Sequence, residues 1–326
     1  VSTAPEHGAD LDAGVPDDAS VVGPMHGAGR YESLQPQGGV ADVLRRYLLV
    51  TKPRIIELLL VTTVPAMVIA AGGWPGTRLV LLTLLGGGLC AGSANAINNW
   101  FDRDVDAAMA RTSKRPTAAD TISPGNALRF GVVLGVLGFT LLATTVNLLA
   151  AALATSAILF YVFVYTMWLK RSTSQAVVIG GAAGCVPVLT GWAAVPGSDM
   201  SDPRPWLLFA LVFWWTPPHF WALAMKYRDD YAAAGLPMLP VTFGAAEATR
   251  HILLYSYLLL SLVALYAVVS GGGLVFALPA GVLTLGFLAL AHRLRREQTV
   301  QRAMQLFHYS NSYLALVFVA AALDAV

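Results

Sequence analysis

The chain has 326 residues, 56% of them hydrophobic and 12% charged, with a mean hydropathy of +0.62. A soluble domain carries about twice that charged fraction, so an ordinary water-soluble enzyme is excluded, and a net charge of +2 gives no footing for a nucleic-acid partner. Cys90 and Cys185 are too few for a disulfide framework or a thiolate cluster, and both lie inside apolar runs.

Residues 1–40 are rich in Gly, Pro, Ala, Asp and His, with no apolar run and no basic n-region, and read as a disordered cytoplasmic tail. His7 and His26 lie there without partner spacing. Residues 41–326 predict an all-α, polytopic membrane domain, a bundle of nine transmembrane helices. The spans fall near 55–72, 79–99, 127–146, 148–168, 175–195, 206–226, 251–270, 274–291 and 307–325, with a tight turn at Asn147 dividing the third from the fourth.

Cations mark alternate loops. Arg45, Arg46, Lys52 and Arg54 precede the first span, and Arg103, Arg111, Lys114, Arg115 and Arg129 separate the second from the third. Lys170 and Arg171 follow the fourth, Lys226, Arg228 and Arg250 the sixth, and Arg293, Arg295, Arg296 and Arg302 the eighth. The opposite loops hold only Arg78 and Arg204. This positive-inside alternation predicts a cytoplasmic N-terminus and an outer C-terminus. The expected setting is a bacterial-type cytoplasmic (inner) membrane.

Where the second span ends, Asn98, Asp102 and Asp106 stand four residues apart and so share one helical face. Carboxylates beside a bilayer are costly to keep. Two of them with an amide offer hard oxygen ligands for Mg²⁺ held jointly with a phosphorylated substrate. A solvated helix end is the plainer alternative. A second acidic stretch, Lys226 to Tyr231, brings Asp229 and Asp230 to the end of the sixth span. Just before it, Trp214-Trp215-Thr216-Pro217-Pro218-His219-Phe220-Trp221 puts two prolines in an apolar helix, which should kink it. His219 there is either a hydrogen-bonded structural residue or a functional one. Both acidic stretches are expected on the cytoplasmic side, near enough to share one diphosphate.

Lys170 and Arg171 satisfy the positive-inside rule, yet with Arg111, Lys114 and Arg115 they could also neutralise a leaving diphosphate. Lys52-Pro53-Arg54 carries the same ambiguity, with Arg54 a substrate-binding candidate. Carboxylates for Mg²⁺, cations for phosphate and an apolar aromatic interior suggest departure of diphosphate from an allylic substrate. The carbocation-like fragment would be sheltered by aromatic faces, with Tyr161, Tyr165, Phe101 and Phe220 as candidates. The residues by themselves point to intramembrane prenyl transfer to an undetermined acceptor.

The spacing Asn98–Asp102–Asp106, followed by Arg111-Thr112 and Arg115-Pro116, resembles the signature of the intramembrane aromatic prenyltransferase superfamily. Thr51 to Pro65, Tyr165-Thr166 with Leu169-Lys170-Arg171, Val178 to Gly184, Pro218-His219-Phe220-Trp221, Asp230-Tyr231 and Pro237 to Val241 are similar to its heme-farnesylating branch. The resemblance covers 44–326 and implies transfer of farnesyl from farnesyl diphosphate to the vinyl group of heme b, giving heme O. It implies that Asn98, Asp102 and Asp106, with Asp230 and Asp229, hold a Mg²⁺–diphosphate. Asp102, Asp106, Asp230 and Lys170 would be the catalytic set. Arg111, Arg115, Arg171, Arg54 and Tyr165 would bind substrate, and His219 would contact the porphyrin. Heme A synthase or a terminal-oxidase assembly would be the partner downstream. Lys226 departs from the superfamily pattern, standing where a second motif usually has its first Asp. Two other readings remain from the sequence: a different acceptor, such as a quinone precursor or chlorophyllide, and a membrane transporter or oxidase-assembly chaperone. A transporter should show paired repeats, and the Pro-interrupted sixth span has no counterpart in the first half.

Overall fold

The structure is a computed structural model and describes residues 39–271 and 273–326, with the backbone alone over 54–59. The expected tail therefore lies, up to residue 38, outside the described residues, as does the side chain of Arg54. Every regular element among the described residues is helical.

Pro53 begins α2, Pro53–Ala71, at a position where its missing N–H is an orphan anyway. Gly72 ends that helix in the left-handed conformation, at φ 62°. The expected first span coincides with α2, whose described apolar part is Leu60–Ala71. Before it lies α1, Val40–Val50, which the sequence reading left unassigned. Its inner side brings the Tyr47 ring 4.9 Å from that of Phe130, edge to face, and buries Val50 with Ala96, Ile122 and Ala127. Val40, Leu44 and Leu48, four apart, are exposed on its other side.

Next come α3, Thr77–Phe101, and the short α4, Arg103–Ala108, followed after a loop by α5, Pro124–Thr145. Asn147 makes the predicted tight turn: its side chain caps α6, Leu148–Leu159, by accepting from the Ala150 N–H at 2.8 Å, and donates to the Ala193 carbonyl at 2.7 Å. The α6 helix continues as a π-helix over Phe160–Leu169 and ends in one turn, α7, Lys170–Ser172. The predicted fifth span is two pieces, α8 (Ala176–Gly180) and α9 (Ala182–Ala194). The sixth, α10, Pro203–Lys226, runs without interruption through Pro217 and Pro218. Each of these prolines lacks the N–H that the helical ladder would use at its position. Two short helices, α11 (Arg228–Ala233) and α12 (Leu239–Thr242), lead to the long α13 (Gly244–Val269), α14 (Leu274–Glu297) and α15 (Val300–Asp324).

Among the described residues eight helices are long and apolar enough to cross a membrane. They are α3, α5, the composite Leu148–Ser172, the composite Ala176–Ala194, α10, α13, α14 and α15. The largest core joins α9, α10, α13, α14 and α15 through Trp192, Trp221, Phe276, Phe287, Tyr313 and Phe318. Elsewhere helices approach through small residues, as lipid offers no hydrophobic drive between them. A Cβ on Gly138 of α5 would lie 2.7 Å from Cys90 Sγ and 3.0 Å from the Gly86 carbonyl of α3. Leu81, Leu85, Val136, Leu278, Val282 and Leu285 stand exposed on the outside, where a bilayer would cover them.

Candidate active site

The polar residues gather at one end of the bundle, around the end of α3. Three asparagines there are buried, Asn95, Asn98 and Asn99, and an amide that cannot reach its own backbone must find tertiary partners. Asn99 donates to the Val50 carbonyl at 2.6 Å and Asn95 to the Thr51 carbonyl at 2.9 Å, so the corner between α1 and α2 is stapled to α3. Asn98 donates to Asp102 Oδ2 at 2.7 Å and to Thr166 Oγ1 at 3.1 Å, while its own oxygen accepts from Lys52 Nζ at 2.6 Å.

The predicted face survives a helix junction. Asp102 stands between α3 and α4, but its N–H still bonds the Asn98 carbonyl at 2.9 Å, and the Asp106 N–H bonds the Asp102 carbonyl at 2.8 Å. Both carboxylates are removed from solvent, with Asp102 0% and Asp106 2% exposed. Buried charge requires partners. Lys170 at the end of the π-wound helix donates to Asp102 Oδ2. Arg115 holds both oxygens of Asp106 through one nitrogen, at 2.7 and 2.8 Å. Asp102 Oδ1 accepts no hydrogen bond, although the Arg171 guanidinium lies 3.5 Å away.

The second acidic stretch meets the first. Asp230 Oδ2 accepts the backbone N–H of Arg111 at 3.3 Å. The Arg111 guanidinium lies over the rings of Tyr227 and Tyr231, 5.0 and 5.9 Å from their centres, and reaches the Tyr231 hydroxyl at 3.4 Å. Beneath them Val105 and Met109 pack with Ala224, Tyr231, Leu236 and Met238. The two stretches, 98–106 and 226–230, therefore lie at the same end of the bundle and in contact.

Other candidates stand at the edge of this network or beyond it. Asp229 is exposed, as is Lys226, which lies 5.3 Å from the Tyr227 ring centre. Arg171 spends its fork on Asp104, with two bonds of 2.8 Å, and lies over the Phe101 ring at 5.0 Å. That guanidinium holds the Asp104 carboxyl below its ordinary range. Tyr165 lies 5.2 Å from Tyr161, ring to ring, and its ring rests on Gly180 so closely that any Cβ there would overlap it. Phe220 is 39% exposed and meets His219 edge-on. His219 is buried between the rings of Trp215 and Phe307, at 4.3 and 4.6 Å, and its Nδ1 lies 2.7 Å from Ser310 Oγ.

The sequence leaves Lys52 open between positive-inside placement and diphosphate binding. Here it occupies a left-handed backbone position, φ 53°, and puts its ammonium on Asn98. Burial is the main cause that pushes its pKa below the ordinary lysine range; Arg115 and Lys170 act in the same sense, and Asp106 and Asp102 oppose them. The sequence assigns no role to Asn95, Asn99, Asp104 and Thr166. Three asparagines inside an apolar run were the available signal for the first two.

No group of three His, Cys, Asp or Glu side chains among the described residues is gathered tightly enough to hold a metal. The donors nevertheless suit a hard cation: an amide oxygen, two buried carboxylates, and one carboxylate oxygen, Asp102 Oδ1, without a hydrogen-bond donor.

An all-helical bundle with two apposed acidic stretches and attendant cations is the architecture of an intramembrane diphosphate-handling enzyme. The chain belongs to the UbiA prenyltransferase family, whose model matches residues 59–312. It is 54% identical over 287 residues to protoheme IX farnesyltransferase 1 of Saccharopolyspora erythraea, covering 87% of this chain and 90% of that one. It is 50% identical over 288 residues to the protoheme IX farnesyltransferase of Salinispora tropica, covering 87% and 89% of the two chains. Among solved structures it is similar to a digeranylgeranylglyceryl phosphate synthase, with TM-score 0.71, 18% identity, and 86% and 98% of the chains covered. A UbiA homolog from Archaeoglobus fulgidus bound to GPP and Mg²⁺ gives TM-score 0.63 at 18% identity, over 85% and 99% of the chains. At that identity the likeness establishes the fold.

Proposed function

We propose that this chain transfers the farnesyl group of farnesyl diphosphate to the vinyl group of heme b, with addition of a hydroxyl, to give heme O. The observation that carries the reading is the 54% identity to a protoheme IX farnesyltransferase along 87% of the chain. The apposition of Arg111 and Asp230 supports it, since it joins the two acidic stretches around one site.

In this reading Asn98, Asp102, Asp106 and Asp230 hold Mg²⁺ with the diphosphate, and Asp229, being exposed, joins them only at the rim. The metal, when bound, stabilises the charge developing on the departing diphosphate. Lys170, Arg111, Arg115 and Arg171 take up the phosphate oxygens, with Arg54 at the entry to α2. Their present carboxylate partners would share them with the substrate. The paired faces of Tyr161 and Tyr165 shelter the allylic cation, and Gly180 sets the height of the Tyr165 ring. Rings held over the reacting carbon would also keep water from it.

His219 is assigned to the porphyrin. In this reading the Ser310 hydroxyl gives its proton to the Phe307 carbonyl, 2.7 Å away, and accepts from His219 Nδ1, also at 2.7 Å. The imidazole then carries its proton on Nδ1 and keeps a lone pair on Nε2, the form required of an iron ligand. The wider setting is nine spans with a cytoplasmic N-terminus in a bacterial-type cytoplasmic membrane, the first span being α2. Heme A synthase or oxidase assembly receives the product.

Membranes bearing the chain, supplied with heme b, farnesyl diphosphate and Mg²⁺, should yield a farnesyl-hydroxyethyl heme by mass spectrometry. A prenylated quinone precursor or chlorophyllide in a competing-acceptor mixture, with heme untouched, would reassign the acceptor.

A further inference from the structure

Two ammonium groups sit on oxygens that a divalent cation would need. Lys170 donates to Asp102 Oδ2, and Lys52 donates to Asn98 Oδ1 at 2.6 Å. Lys170 comes from the end of the helix that faces the site. Lys52 comes from a corner built with some effort. Its φ of 53° is disfavoured for any residue with a Cβ, and the following Pro53 normally asks for an extended conformation here. The corner persists because Asn99 and Asn95 grip the two carbonyls just before it, those of Val50 and Thr51, at 2.6 and 2.9 Å. What that strained, doubly pinned corner delivers is one ammonium group on the oxygen of Asn98.

We infer that Lys52 is a positioning residue that keeps a bare divalent ion off Asn98 and yields only when the ion arrives with a diphosphate, so that metal and diphosphate enter as a unit. This rests on the metal–diphosphate reading above. The charges around the site favour it. Lys52, Arg111, Arg115, Lys170 and Arg171 stand among the carboxylates of Asp102, Asp104, Asp106 and Asp230. A bare ion adds positive charge beside those five cations, whereas a magnesium diphosphate is a net anion that they attract. A diphosphate also gives the displaced ammonium an oxygen to turn to. Lys52 thus couples two ligands through one side chain, and the coupling must act equally in both directions.

Mn²⁺ is the probe, followed by electron paramagnetic resonance on the purified full-length protein, alone and with inorganic pyrophosphate. Wild type should bind Mn²⁺ about tenfold more tightly with pyrophosphate than without it. Lys52→Met should bind Mn²⁺ alone more tightly than wild type, and its gain from pyrophosphate should shrink to about threefold or less. Lys52→Gln, which keeps a donor toward Asn98 but no charge, should move the same way by less; it decides the matter if the Met variant does not fold. Lys52→Arg should keep the wild-type coupling. A lysine that merely braces the corner would, on replacement, weaken Mn²⁺ equally under both conditions. That result, or unchanged coupling in the neutral variants, overturns the inference. Mn²⁺ bound by wild type with no gain from pyrophosphate also overturns it. No Mn²⁺ bound by wild type under either condition overturns the metal reading itself.

Discussion

The acidic end of the bundle and the half built from α13, α14 and α15 bury polar groups in opposite ways. In the second half the buried hydroxyls are satisfied within their own helix: Thr249 bonds the Ala245 carbonyl at 2.9 Å, Ser256 that of Ile252 at 2.7 Å, and Thr284 that of Ala280 at 2.6 Å. Such groups need no partner outside their own helix, although Thr284 also meets the Tyr313 hydroxyl at 3.1 Å and Thr249 the Arg295 guanidinium at 3.5 Å, and the large rings around them pack by shape. At the acidic end Asn95, Asn98, Asn99, Asp102 and Asp106 take their partners across elements, from Thr51, Lys52, Val50, Lys170 and Arg115. One arrangement gives stability without geometry; the other gives geometry at a cost in desolvation. His219 and Trp215 form the exception in the apolar half, since both lean on Ser310, the indole by donating to its carbonyl at 2.9 Å.

The comparison can be broken most sharply at Asp102 and Asp106. Asp102→Asn or Asp106→Asn should lower heme O formation by about a hundredfold or more, as loss of charge-stabilising groups at a reacting centre does. Gel filtration should still show folded protein, and near-normal turnover in both variants would remove these residues from the site. Lys170→Met comes next. It strands a carboxylate of 0% exposure and should cost about 3 kcal/mol of stability in a denaturant or thermal titration. Together with a raised KM for farnesyl diphosphate this separates it from a surface lysine; an unchanged midpoint would mean that the pair is not buried as described.

His219→Ala tests the exception. Heme affinity should fall about tenfold, the loss of roughly 1.4 kcal/mol, while the KM for farnesyl diphosphate stays put. Equal loss for both substrates would return the residue to a packing role. Ser256→Ala, in the self-satisfied half, should cost less than about 1 kcal/mol and leave turnover unchanged, because the carbonyl it releases keeps its helical bond.

The smallest effect is expected at Asp104. Arg171 depresses its carboxyl, so the pair's contribution is full above the ordinary carboxylate pKa and is lost as pH falls through the lowered value. Asp104 is 62% exposed, so this amounts to a few tenths of a kcal/mol. Asp104→Asn should flatten the acid limb of a stability–pH profile slightly and leave turnover at neutral pH within about twofold.

Asn98, Asp102, Asp106 and Asp230 could be picked out from the chain because spacing and the cost of carboxylates near lipid are local facts. So could Lys170 and Arg115, as cations near the same face. Lys52 could not, since its reach to Asn98 depends on a corner held by residues more than forty positions away, nor could the capture of Arg171 by Asp104.

What the amino-acid order determined unaided was the class: long apolar stretches, alternating basic loops and acids four apart are properties of neighbouring residues, and hydrophobicity and helical period act over a turn or two. What only the tertiary structure decided was the pairing of charges, because a buried ion is stabilised by whichever opposite charge the packing brings within a few ångströms. Sequence distance has no bearing on that choice.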